Sequence, residues 1–377
     1  MNRLAPFALL CFSLLALPVA GADEEPAGPE LRRAADHADR EIHEGKQTPS
    51  LLPFPVGNPT LGAGLGLAAT RAYRLGKSVP STTTLAGFVT EEGSWALGLE
   101  QRTRLVGDAF RIDAGLRVSG LDLDYYGVGA EAGRAGASVA HDQDGHAFEL
   151  AALGRIAKNL YAGPFVSWSH TDVKPAEAIA SVPLPTEPVP VVLASGTAGA
   201  LGFRIHYDDR DPAFDPNWGA TAGFEAAFAD PAIGGDFTFQ RYEGNLNLYG
   251  EVQPDFVVAF QAVGCGTGGD VPFYRMCRLG TGLGLRGYPA DRHRDKVAFT
   301  SQIELRRRLP ARFTLVAFGG VGEVAPTIGE LGAVDLLGSY GAGARYMVWK
   351  ERHLNLSLDY GRGAEGGAWY FYVGQSF

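Results

Sequence analysis

The run "VAFTSQIELRRRL", residues 297 to 309, alternates strictly. Val297, Phe299, Ile303 and Leu305 share one parity, while Thr300, Gln302, Glu304, Arg306 and Arg308 share the other. Successive strand residues point to opposite faces, so this is a strand with one apolar and one charged face. The same parity recurs in "RYEGNLNLY" (241–249), "FRIDAGLRV" (110–118), "WALGLEQRTRL" (95–105) and "LNLSLDY" (354–360). Soluble sandwiches also alternate, but their strands average about 5–6 residues. Strands of about 9 to 11 residues with one apolar face suit a tilted bilayer crossing with a polar lumen. Lipid supplies no hydrogen-bond partners, so such strands must close into a barrel.

Strands read this way fall near 59–72, 82–91, 94–105, 109–120, 145–156, 159–171, 197–208, 219–230, 237–250, 254–265, 296–309, 312–323, 339–349, 353–361 and 367–377. These make fifteen, and single-chain bacterial barrels have an even number. The expectation is an all-β, antiparallel barrel of sixteen strands over 59–377, with the missing strand near "SLLPFPV" or within 121–142. Short turns "EVQPD", "LPAR" and "WKERH" belong to the periplasmic end. Long segments at 121–144, 172–196, 266–295 and 324–338, with the turn at 362–366, belong outside.

The first 22 residues, "MNRLAPFALLCFSLLALPVAGA", have a basic start, an apolar centre and a small-x-small end, the pattern of a cleaved signal peptide. A membrane anchor is the competing reading, but the apolar run is short and holds Pro18. Residues 23–58 form a periplasmic segment in which Leu31, Ala35, Ala38 and Ile42 stand at helical spacing. Disorder or a small plug are the other readings. No later segment has the apolar length of a membrane helix. A formal net charge of -9 argues against nucleic acid as a partner. Fifty-one glycines in 377 residues are about twice the usual share of roughly 7%, as tight turns and a packed barrel interior require.

In an exported protein, Cys265 and Cys277 read as a disulfide closing a short loop. Two free thiols, or a metal site short of ligands, are the alternatives. Eight scattered histidines and no nucleophile or metal motif predict that the chain is not an enzyme and needs no cofactor. His206 and Asp208 share a strand face, the nearest approach to such a site. Among Arg306, Arg307 and Arg308, parity sends Arg307 to the membrane edge, where a long basic side chain snorkels.

The stretch "GLGLRGYPADRHRDKVAFTSQIELRRRLP" (282–310) resembles the barrel signature of the BamA/TamA superfamily, or bacterial surface antigen family. The turn "YDDRDPAFDPNWG" (207–219), "LDYGRG" (358–363) and the final Phe377 are similar to further family motifs, in the same order. The resemblance covers about residues 50 to 377 and implies that the tip Arg286-Gly287-Tyr288 sits on a long outer loop folded into the lumen. A desolvated guanidinium there needs a carboxylate. Glu304 and Asp359 both point inward by parity, and the family pattern favours Glu304. The resemblance also makes Phe377 the signal read by the barrel-insertion machinery. Two positions depart from the pattern: "FGGVG" places Gly320 where the family has an acid, and Gln375 stands where an apolar residue is expected. The segment before the first strand is too short for the family's periplasmic POTRA modules, which bind client chains.

The expected location is therefore the bacterial outer membrane. The expected partners are outer-membrane lipid, the insertion machinery and an unidentified periplasmic protein. The expected role is outer-membrane biogenesis or translocation of protein or lipid. A passive or gated pore and a surface adhesive protein are the alternatives.

Overall fold

The structure, a computed structural model, describes residues 50–76, 78–175, 195–210, 215–280, 284–332, 336–349 and 354–377. The expected signal peptide (1–22) and the expected helix within 31–42 lie outside the described residues. The first half of the wall comprises β1 (Ser50–Asn58), β2 (Gly62–Tyr73), β3 (Ser81–Thr90), β4 (Trp95–Leu105), β5 (Phe110–Tyr125), β6 (Val139–Ala157), β7 (Leu160–Pro175) and β8 (Gly196–Asp208). A short helix α1 (Ala130–Ala135) lies between β5 and β6. The second half comprises β9 (Trp218–Ala229), β10 (Phe239–Gln253), β11 (Phe256–Gly269), β14 (Val297–Arg308), β15 (Phe313–Ala325), β16 (Leu337–Trp349), β17 (Leu354–Gly363) and β18 (Gly366–Val373). Two short strands, β12 (Cys277–Arg278) and β13 (Arg294–Asp295), pair within the loop that joins β11 to β14.

The sixteen wall strands close into one antiparallel barrel, each beside its sequence neighbour, with β1 returning to β18. The sixteenth strand is β1, at "SLLPFPV", so the barrel starts at Ser50 and not at the expected residue 59. Pro53 and Pro55 hide it, because proline lacks the ladder N–H and is confined to edges. Residues 121–142 hold no separate strand; their ends extend β5 and β6. No described helix is long and apolar enough to cross a membrane.

Side-chain alternation sorts the wall as its parity requires. Along β14, Thr300, Gln302, Glu304 and Arg306 are buried inside, while Phe299, Ile303 and Leu305 are exposed outside. On β5, Phe110, Ile112, Leu116 and Val118 form the outer band. Above it the outward face changes character, with Asp122 paired to Asp142 and Asp144 paired to Asp172. Carboxylates do not face hydrocarbon, so β5 to β7 project beyond the membrane. Their 16 to 19 residues supply the length. The turns at 158–159 and 254–255 mark the opposite, periplasmic end, where β18 also finishes.

Candidate functional site

The loop from 270 to 296 carries the Arg-Gly-Tyr tip, and its base is fixed first. Cys265, on the inner face of β11, is disulfide-bonded to Cys277 on β12, with Cα atoms 5.7 Å apart. Phe273 and Tyr274 pack with Tyr125 of β5 and Val173 of β7. Above the tip the loop crosses the outer mouth. The Gly129 amide donates to the Arg294 carbonyl (2.8 Å), Arg292 Nε donates to the Gly133 carbonyl (3.0 Å), and the Ala290 amide donates to Thr60 Oγ1 (2.7 Å). His293 Nε2 meets Glu365 of the β17–β18 turn at 2.9 Å. Asp291 ties this segment together, with Arg278 at 2.7 Å and Arg294 at 2.8 Å. Burial alone would raise its pKa, but the two guanidinium groups outweigh that and hold it below its ordinary value.

The tip lies against a wall made thin by glycine. A side chain at Gly320 would meet Gln302 of β14 and Leu285 of the loop, and one at Gly322 would meet Leu279 and Leu285. The position where the family pattern has an acid is therefore filled by the loop's own leucine. Gly287 has φ +110°, a conformation open to glycine, and its amide donates to Tyr370 Oη at 2.7 Å. Tyr288 covers Gly363 and donates from its hydroxyl to the Gly338 carbonyl at 2.8 Å.

Arg286 is 4% exposed and meets both carboxylates that parity pointed inward. Its Nη1 lies 2.7 Å from Glu304 Oε2 and 2.6 Å from Asp359 Oδ2, and its guanidinium stacks 3.5 Å from the centre of the Phe318 ring. Three further side chains complete the cluster, and parity alone did not single them out. Arg306 Nε donates to Glu304 Oε1 at 2.7 Å. Arg345 of β16 pairs with Asp359 and approaches Glu304 at 3.6 Å. Tyr372 of β18 donates to Asp359 Oδ2 at 2.6 Å. Three guanidinium groups thus share two carboxylates, which is how buried charges are made tolerable. The signal available in sequence was Arg306, two residues from Glu304 and on the same face. Arg307 points outward as its parity requires and donates to the Pro254 carbonyl. The Asp208 carboxylate is taken by Arg210, at 2.7 Å.

Phe377 does not end a strand, contrary to the expected span of 367–377. The strand β18 stops at Val373, Gly374 turns the chain at φ +92°, and the Phe377 carbonyl accepts from Arg306 Nη2 at 2.8 Å. The seam beside it is sparse. Among the described residues, only the pair Gly57↔Phe371 joins β1 to β18, whereas nine pairs join β1 to β2 and eight join β17 to β18. Pro53 and Pro55, two apart, address the same neighbour, so one edge of β1 lacks two donors.

Residues 193–377 match the Omp85 superfamily domain. Among solved structures the chain is similar to BamA from Haemophilus ducreyi lacking POTRA domains 1–3, with TM-score 0.59 and 16% identity over 88% of this chain and 70% of that one. It is similar to CdiB from Acinetobacter baumannii, with TM-score 0.56 and 12% identity over 87% of this chain and 60% of that one. It is also similar to CdiB from Escherichia coli, with TM-score 0.58 and 11% identity over 86% of this chain and 62% of that one. The chain thus spans under two thirds of each CdiB. No curated protein sequence matches it. At these identities the structures speak for the fold, and the domain match speaks for residues 193–377 alone. Residues 193–377 thus carry the match to the Omp85 superfamily domain, within a sixteen-stranded outer-membrane barrel that shares its fold with the BamA structure.

Proposed function

We propose that this barrel works in outer-membrane biogenesis, moving or inserting protein or lipid through its β1–β18 seam with the help of a periplasmic partner. The observation that carries this is the single residue pair closing the seam. Every other strand pair of the wall is joined by eight or more residue pairs, so opening costs least at the seam. The two prolines remove two main-chain donors from β1. An edge short of partners accepts an incoming strand by main-chain pairing. The reading is non-enzymatic and uses no cofactor. It includes export through a signal peptide cleaved after Ala22.

A disulfide across the seam tests this reading. A Cβ placed on Gly57 lies 3.1 Å from the Phe371 Cβ, and a shift of a few tenths of an ångström brings Gly57→Cys and Phe371→Cys into disulfide range. Host cells whose sole copy carries the sealed pair should lose barrel proteins or lipopolysaccharide from the outer membrane at least several-fold against either single variant. Normal outer-membrane content with a sealed seam would overturn the proposal. A large steady ion current through that sealed barrel would favour the pore instead.

A further inference from the structure

Gln375 stands where an apolar residue was expected, and the structure gives it a position no apolar residue could use. After Gly374 the chain turns into the lumen. Arg345 Nε donates to Gln375 Oε1 at 3.2 Å, and Gln375 Nε2 donates to Asp215 Oδ1 at 2.9 Å. Asp215, 5% exposed, belongs to the turn between β8 and β9, and its other oxygen lies 3.0 Å from Arg308 Nη2. Around the ring, β9 and β18 are seven steps apart in one direction and nine in the other. A hydrogen bond between these two ends therefore crosses the periplasmic mouth.

The same segment reaches the Arg286 cluster from below. Arg345 joins Gln375 to Asp359, and Arg306 joins the Phe377 carbonyl to Glu304. Both carboxylates hold Arg286. A continuous polar chain thus runs from the outer-loop tip, through two arginines, to the segment after β18 and on to the β8–β9 turn.

We propose that residues 374–377 form a latch that closes the periplasmic mouth and holds the Arg286 tip in place from below. With the latch docked, Arg345 and Arg306 are each held at both ends, and the two carboxylates are fixed for Arg286. When it leaves, both arginines lose their lower partners and can swing toward the mouth, which loosens the tip. The device has two arrangements of one short segment, as coupling between distant sites requires. A periplasmic protein that takes hold of the β8–β9 turn or of residues 374–377 would thereby release the outer loop. This coupling stands whether or not the seam opens, because the tie at Asp215 lies on the opposite side of the ring.

Hydrogen exchange of the full disulfide-bonded chain in detergent micelles tests the latch. The probes are the Leu285 and Gly287 amides, which donate to the Gly280 carbonyl (2.9 Å) and to Tyr370 Oη (2.7 Å). In Gln375→Leu both should exchange about three- to tenfold faster, the range for losing one or two buried hydrogen bonds, while amides of β3 and β4 keep their wild-type rates. Unchanged rates at Leu285 and Gly287, with residues 374–377 freed, would overturn the proposal. Should every strand exchange faster in that variant, Asp215→Ala decides, since it removes the acceptor of Gln375 and leaves residues 374–377 and the Arg286 cluster unchanged. Faster exchange confined to Leu285 and Gly287 in that variant supports the latch, and wild-type rates there refute it.

Discussion

Arg286 illustrates how one side chain holds a loop of some twenty-five residues inside a barrel. Its guanidinium forms two ion pairs through Nη1 and a ring stack at once, and only a planar cation lies flat on a ring while it pairs. Arg286→Ala leaves Glu304 and Asp359, both wholly buried, with less positive charge than they need. The barrel should lose about 3 kcal/mol, seen as unfolding at a lower temperature in a gel-shift assay; wild-type heat resistance would refute the contact. Arg286→Lys should recover only part of this, since an ammonium cannot lie flat on the Phe318 ring while it pairs. Asp291 sets the acid limit of the same loop. Its pKa is held below the ordinary 3.8 by Arg278 and Arg294, so its contribution is complete above that value and is lost as pH falls through the lower, folded one. Loop protection should therefore stay level from neutral pH to about 4 and decline only below it, as exchange of the Leu279 amide would register. A decline beginning near pH 6 would assign acid sensitivity to a different group.

Among the elements, β1 shows most clearly how a strand can be present and still be weak. Its inner face, Leu52, Phe54 and Val56, is buried like that of a normal wall strand. Phe54 covers Gly66 of β2, which fastens that side. The other edge holds one pair with β18. Restoring the missing donors with Pro53→Val and Pro55→Val should lengthen the β1–β18 ladder and raise the unfolding temperature by several degrees, as two added hydrogen bonds of about 1 kcal/mol each imply. The same variant should slow any activity that uses the seam. Unchanged stability would mean that those N–H positions do not face β18. The alternation that identified fifteen other strands failed here only in rank, because proline counts against a strand wherever it occurs. At the other end of the wall, "YFYVGQSF" alternates well enough to read as a strand to its last residue, and the positive φ of Gly374 is invisible to that pattern.

At the scale of the whole molecule, both mouths are crossed. The 270–296 loop spans the outer side from α1 to the β17–β18 turn, and residues 374–377 meet the β8–β9 turn below. Between them the lumen is lined by paired charges, such as Arg204 with Glu149 and Glu225. Wild-type protein in a planar bilayer should therefore pass a small or flickering current, and a variant lacking residues 268–294 should pass a large steady one. A large steady wild-type current would show that these crossings leave an open path and would favour the passive pore.

Period-two alternation, glycine content and strand length were sufficient to specify a membrane barrel, because lipid admits one way of satisfying the backbone and one way of facing side chains. Parity alone also sent Glu304 and Asp359 inward, since it is a local property of each strand. Tertiary structure decided what parity cannot express. It brought Arg306, Arg345 and Tyr372 around Arg286 from strands far apart in sequence, and filled the space at Gly320 with Leu285. It also turned Gln375 toward Asp215, 160 residues away. Such contacts depend on ring closure, which leaves no local mark in the chain.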